Sequence, residues 1–276
     1  MTQGSFDNHS ATTLMGRREV DESQVAKYIG AMSASRSASE SVKGARALVT
    51  GGVGNDPRES LSSYLTDFYG RYYDLEFRTS NAKSPNTFTS ADLSAIRHLS
   101  VSTTNGFDEW LLSPEGQGAT EGLLRAIDDS LKLEEIESEE DFTAALGTGT
   151  SSVSVLWNLL VTKLRESGQS PRQGIYVVSS KLIAGKRPQL VPMTDSFVRN
   201  ELCLTWSNCW YRYWQIMRDP IVDEHLGSLR SEVAVMRRDE NASGPTGDEV
   251  EMLSKTRVLD IIAWHWRWLH RPLVSH

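Results

Sequence analysis

Apolar residues recur at the period of an α-helix through most of this chain, and almost nowhere at the period of a strand. Val153, Leu156, Trp157, Leu160, Val161 and Leu164 form the clearest stripe. Leu61, Tyr64, Leu65 and Phe68 form a second, and Leu123, Leu124, Ile127 and Leu131 a third. Residues three and four apart share one face of a helix, so each stripe predicts a helix with one face in a core. Val177, Val178, Leu182 and Ile183 continue the pattern. A helix opening at Ser90 and others over about 205–217, 222–236 and 254–268 complete it. Alternating Val/Ile runs joined by hairpin turns are scarce. The expected fold is all-α, a multi-helix globular domain.

A chain of 276 residues has ample length for one buried core. Its first ~45 residues are rich in Ser and Ala, with SASRSASES at 33–41, and carry short helical candidates at Gln24–Met32 and Ser39–Val49. Residues 1–45 are read as a mobile arm and 46–276 as the helical domain. TGGVGND at 50–56 lacks the Gly-Lys-Ser/Thr ending of a phosphate loop and follows no strand, so it reads as a turn. NASGPTGDE at 241–249 reads as a loop. The N-terminus shows no basic-then-apolar leader, and no apolar run approaches the ~18 residues of a membrane helix. With two cysteines, Cys203 and Cys209, a disulfide framework is excluded and a reduced, cytoplasmic setting without membrane contact is expected. The six histidines, His9, His98, His225, His265, His270 and His276, show no metal-ligand spacing, so neither metal nor cofactor is expected.

The net charge of -7 argues against a general nucleic-acid binder. It hides an asymmetry. Residues 108–141 carry twelve acids and two bases, whereas 163–219 carry nine bases and four acids. The basic segment reads either as a local phosphate-binding face or as ordinary solvated surface.

The most informative stretch is GIYVVSSKLIAGKRPQLVPMTDSFV, residues 174–198. Gly174 opens a helix running to about Gly185. Lys186 and Arg187 follow, Pro188 and Pro192 hold an extended crossing, and Asp195 precedes the next helix. Each of these has a plain reading: Gly174 a turn, Tyr176 a half-buried core aromatic, Lys186-Arg187 a solvated helix end, Asp195 an N-cap.

This order resembles the helix–hairpin–helix DNA glycosylases. There, a glycine hairpin enters a helix, and a proline-containing loop leads to a catalytic aspartate about nineteen residues after an early helix position. Gly174 matches the last hairpin glycine, Tyr176 that position, Pro192 the proline, and Asp195 lies nineteen residues after Tyr176. The likeness covers about residues 165–200. It departs from the pattern where the hairpin consensus Leu-Pro-Gly-x-Gly is replaced by ESGQSPRQGIY, and no four-cysteine cluster follows. The chain is also similar, over about 60–268, to an uncharacterised actinobacterial family sharing Ser-Lys-Leu, Lys-Arg-Pro and Pro-x-x-Asp, with FYGRYYD at 68–74 and FTSADLSAIRHLSV at 88–101.

The resemblance implies a monofunctional DNA glycosylase. Asp195 would be its catalytic carboxylate, with Tyr176 beside it in place of a Schiff-base lysine. DNA would be held by Gly174, Lys181, Lys186, Arg187 and Arg199. The alternative is a non-catalytic module that grips nucleic acid or protein, with a defence-associated role as its extension. Two clusters stay open. Trp206, Trp210 and Trp214 would line one helix face, either packed against the helix carrying Trp264, Trp266 and Trp268 or forming a base-stacking wall. Arg71, Tyr72, Tyr73 and Asp74 either line a pocket or close a helix end.

Overall fold

In the computed structural model, the structure describes residues 38–52, 54, 56–67, 70–171, 174–239 and 246–269. The candidate helix at Gln24–Met32, Phe68, Arg172, residues 241–245 and His9, His270 and His276 lie outside them. The described residues fall in one unit, Ser35–His276.

Among the described residues the chain forms fourteen α-helices and no strand. In order they are α1 (Ala38–Val49), α2 (Pro57–Asp67), α3 (Gly70–Lys83), α4 (Ser90–Arg97), α5 (Asn105–Leu112), α6 (Pro114–Arg125) and α7 (Glu139–Leu146). Then follow α8 (Ser152–Glu166), α9 (Ile175–Lys186), α10 (Ser196–Glu201), α11 (Cys209–Met217), α12 (Pro220–Asp239), α13 (Gly247–Glu251) and α14 (Lys255–Leu269). The all-α expectation holds. No described helix is long and apolar enough to cross a membrane.

Local chemistry explains several boundaries. Thr104, Ser113, Ser138 and Ser151 each accept a backbone N–H at the start of α5, α6, α7 and α8. Pro114 and Pro220 occupy first helical positions, where the missing N–H costs nothing. The acidic run 133–142 is not one helix start. It forms a 3₁₀ turn at Leu133–Glu135, and α7 begins only after Ser138. The stretch 241–249, read as a loop, contains the start of α13, which a Thr246–Glu249 capping box opens.

The arm boundary at 45 also moves. α1 starts at Ala38, buries Ala45, Leu48 and Val49, and packs on α11, α12 and α14.

At the centre lies α9, packed against α3, α4 and α8, with every residue from Val178 to Arg187 buried. A helix buried on all sides has little room for polar groups without partners, and α9 carries five: Ser179, Ser180, Lys181, Lys186 and, just after it, Arg187. Each is hydrogen-bonded. Gly185 is where α9 meets α3 most closely, because a Cβ there would run into the Phe77 ring. Phe77 is itself buried and cannot swing away. We expect Gly185→Ala to cost about 1–3 kcal/mol by overpacking, seen as a lowered thermal midpoint. An unchanged midpoint would contradict the close approach.

Candidate functional site

The site begins where the chain enters α9. Gly174 sits at φ 77°, a left-handed conformation that suits glycine, and no side chain caps the helix start. Tyr176 follows in the first turn, half-exposed.

After α9 the chain turns at Arg187–Val191 and runs back along the helix. Thr194 N–H donates to Ser180 Oγ at 3.0 Å, and the two hydroxyls lie 3.0 Å apart. This pins the crossing against the middle of α9, one turn beyond Tyr176, with Asp195 next in the chain. Asp195 then caps α10: its Oδ1 accepts the N–H groups of Phe197 and Val198 at 2.9 and 3.0 Å. The N-cap reading is therefore correct as geometry. It occupies only one oxygen; Oδ2 takes no hydrogen bond from the described residues, and the residue stays partly exposed.

An aromatic wall adjoins Asp195. Arg199, one turn along α10, lies 4.0 Å over the Trp206 ring. Trp206 sits 5.5 Å from Tyr176, and Tyr176 stacks on Trp157 at 5.4 Å with 12° between planes. Trp210 meets Trp157 edge-on at 6.3 Å. Arg165 donates to the Tyr176 hydroxyl at 2.6 Å. None of the four rings is fully buried, and neither Arg165 nor Arg199 is paired with a described carboxylate. Arg199 Nε and Trp210 Nε1 have no hydrogen-bond partner.

Behind Asp195 lies a buried charge network. Arg257 in α14 grips Asp74 of α3 with two bonds, Nε–Oδ1 at 2.9 Å and Nη2–Oδ2 at 3.1 Å. It also donates to Asp260 and to the Tyr64 hydroxyl. Burial pushes the Asp260 carboxyl up to about 7, against the pull of Arg257. Its Oδ1 has no partner. Lys181 faces both Asp195 and Asp260, and burial pulls its ammonium down.

The sign for Asp260 follows. An unfolded aspartate titrates near ~3.9. Between about pH 4 and 7 the folded state keeps a proton that the unfolded chain has released, so stability falls as the pH rises through that window. Asp260→Asn removes this dependence. We expect its thermal midpoint to fall less between pH 5 and 8 than that of the wild type; equal falls would contradict the assignment.

Three of the five expected DNA contacts are corrected. Lys181, Lys186 and Arg187 are only 4%, 2% and 2% exposed, so they cannot reach a phosphate on the surface. Lys181 Nζ donates to Leu99 O at 3.1 Å. Lys186 Nζ pairs with Asp92 Oδ2 at 2.8 Å and donates to Ser80 Oγ and Ser84 O. Arg187 donates to the carbonyls of Pro85, Leu124 and Ile127 and to Asn86 Oδ1. The solvated-helix-end reading of Lys186-Arg187 fails with it. Gly174 stays at the entry to α9 beside Tyr176, and Arg199 lies one turn from Asp195 on α10.

The tryptophans divide as well. α11 starts at Cys209, so Trp206 precedes it and joins the wall with Trp210, whereas Trp214 is buried against Phe142. Trp157 read only as part of an apolar stripe, and Arg165, Arg257 and Asp260 were not singled out in the sequence. The last two carried a signal: an acid and a base three apart inside the apolar run of α14. Neither cysteine is in a disulfide, and no cluster of His, Cys, Asp and Glu among the described residues could hold a metal ion.

Fold and site thus define an all-helical protein with a partly exposed aspartate beside an aromatic, arginine-bearing wall. A family model matches residues 58–267, from the first turn of α2 to the last turn of α14: the chain belongs to DUF6308, a family of unknown function. No curated protein and no solved structure matches it.

Proposed function

We propose that this protein is a monofunctional DNA N-glycosylase acting on a base turned out of the duplex. The observation that carries the reading is the placement of Asp195. Its backbone position is locked by the cap, its Oδ2 accepts no hydrogen bond from the described residues, and Arg199, one turn along the same helix, lies over Trp206 in a wall of rings suited to stacking on a base.

The chemistry asks little more of the chain. As the bond from C1′ of the sugar to the base nitrogen breaks, positive charge builds on the sugar. The Asp195 carboxylate stabilises that charge and orients a water, whose oxygen bonds to C1′. One water proton passes to Asp195, which later returns it to solvent, and the base leaves with the bonding electron pair and takes up a proton from solvent. Tyr176 offers no amine, and the Lys181 ammonium is held inside by Leu99, so an abasic site rather than a cut strand is the product. Arg199 and Arg165 are the cations suited to flanking phosphates.

A second reading, a nucleic-acid- or protein-binding module without chemistry, is favoured by the burial of Lys181, Lys186 and Arg187. An abasic-site assay separates the two. The protein is incubated with unmodified, damaged and phage-type modified duplexes. Abasic sites on at least one duplex support the glycosylase. No abasic sites on any, with DNA binding that Arg199→Gln weakens, would replace it by the module.

A further inference from the structure

The knot Arg71-Tyr72-Tyr73-Asp74 lines a groove in which neither Asp195 nor the aromatic wall takes part. Arg71, Asp74, Leu75, Arg78, Asn81 and Ala82 fall at helical spacing on one face of α3. Opposite them stand Met252, Leu253 and Ser254, in the turn between α13 and α14. Two cavities open along this line, of 270 and 370 Å³, and they share Asp74, Arg78 and Leu253. The larger falls within the range of small-molecule sites, ~300–1,000 Å³.

The charges in the groove do not cancel. It contains two carboxylates, of which Asp74 is neutralised by Arg257 and Glu249 keeps its charge. Asp74 is held on both oxygens by Arg257, and Glu249 accepts the Thr246 N–H at 2.7 Å in the capping box. Of the three arginines in the lining, Arg257 is paired with Asp74, and Arg71 and Arg78 are paired with no carboxylate among the described residues, so they outnumber Glu249. Arg78 reaches only the thioether of Met252, at 3.3 Å. Arg71 donates to the Leu65 and Thr66 carbonyls and to the Tyr72 hydroxyl, none of them charged. The Cα atoms of Arg71 and Arg78, seven residues apart, are separated by about 10 Å along the helix axis, the length of a small ligand rather than one ion. Beside them Leu65, Leu75, Met252 and Leu253 supply apolar wall, and Leu75 and Met252 are 42% and 61% exposed at the rim. At the far end Asn81 donates to Gly185 O at 2.8 Å, while its Oδ1 accepts nothing.

We propose that this groove binds a nucleoside monophosphate. The phosphate lies on the Arg78 guanidinium, whose planar fork suits it. The ring of the base lies on the apolar wall of Leu75, Met252 and Leu253. The site is independent of the reaction assigned to Asp195.

The test is calorimetric titration of the full chain with AMP, GMP, CMP and UMP, alongside inorganic phosphate and adenosine. At least one nucleotide binds saturably, more tightly than either phosphate or adenosine alone. Arg78→Gln weakens it at least tenfold, as expected for loss of a charge-assisted hydrogen bond. Arg78 is half-buried and its side-chain bond runs to the exposed Met252, so its variant keeps a thermal midpoint close to that of the wild type. Absence of saturable binding by all four nucleotides overturns the proposal. So does binding no tighter than that of inorganic phosphate, or binding unchanged in folded Arg78→Gln. A parallel Arg199→Gln protein, altered only at the aromatic wall, binds as the wild type does; loss of nucleotide binding there would place the nucleotide at the wall instead and overturn the assignment to the groove.

Discussion

Lys186→Met lowers the thermal midpoint by ~10 °C, the largest stability loss expected from any surface-like residue in this sequence. Lys186 and Asp92 are both fully buried at the side chain and lie 2.8 Å apart. Taking an ion pair out of water gains little overall. Removing one partner is another matter, because the other charge is left in a medium that cannot solvate it. Such losses run to about 3–5 kcal/mol, and each kcal/mol moves the midpoint of a domain this size by about 2–4 °C. Asp92 cannot recover its charge partner elsewhere. Its Oδ2 already takes the Thr89 N–H and hydroxyl, and its Oδ1 has no partner. The double variant Lys186→Met/Asp92→Asn therefore regains part of the loss. Lys83→Met, at an exposed site on α3, stays within about 0.5 kcal/mol of wild type. The contrast is read by thermal denaturation. A Lys186→Met protein that melts with the wild type would contradict the buried pair and return Lys186 to the surface.

That correction shows what a sequence of this kind reveals and what it withholds. The helical period of Leu156, Leu160 and Leu164 reports one face buried along one helix, and such faces came through directly. The start of α4 at Ser90, the span of α9 and the loop carrying Asp195 were legible for the same local reasons: caps, prolines and glycine. The direction in which a helix end points is not local. Lys186 and Arg187 look like a solvated C-terminus because the residues that receive them, Asp92, Asn86 and the carbonyls of Pro85, Leu124 and Ile127, lie roughly 60 to 100 positions away. The tryptophan periodicity misled for a smaller reason. A helix that begins at Cys209 instead of about 205 puts Trp206 in a turn and sends it to Tyr176 rather than beside Trp214. Of the site, Asp195, Tyr176, Gly174 and Arg199 could be found from one segment. Trp157 could not, because its stripe position looked like plain core, and the Arg257–Asp260 network needed α3 and α14 brought together. The knot at Arg71–Asp74 was visible, but its role as a groove wall depended on the turn at Met252–Ser254.

The second large effect concerns Asp195, and here the two roles of the residue have to be separated. As an N-cap it contributes about 1 kcal/mol through Oδ1. As a catalytic carboxylate it would contribute its charge through Oδ2. Asparagine caps a helix about as well as aspartate and keeps the side-chain oxygen, so Asp195→Asn removes the charge and spares the cap. Asp195→Ala removes both. If the account is right, Asn at 195 leaves the thermal midpoint nearly unchanged while base release falls by roughly a thousandfold or more, the scale seen when a group that stabilises developing charge is removed. Asp195→Ala loses the same activity and about 1 kcal/mol of stability besides. Binding of duplex DNA persists in both, since Arg199, Arg165 and the aromatic wall are untouched. The measurement that bears most directly on the central claim is the single-turnover rate of abasic-site formation by wild type and Asp195→Asn, on the duplex that the wild type depurinates or depyrimidinates fastest, with melting curves for both. A folded Asp195→Asn protein with no measurable base release is the result expected; a folded one that releases base at the wild-type rate would contradict the assignment of Asp195.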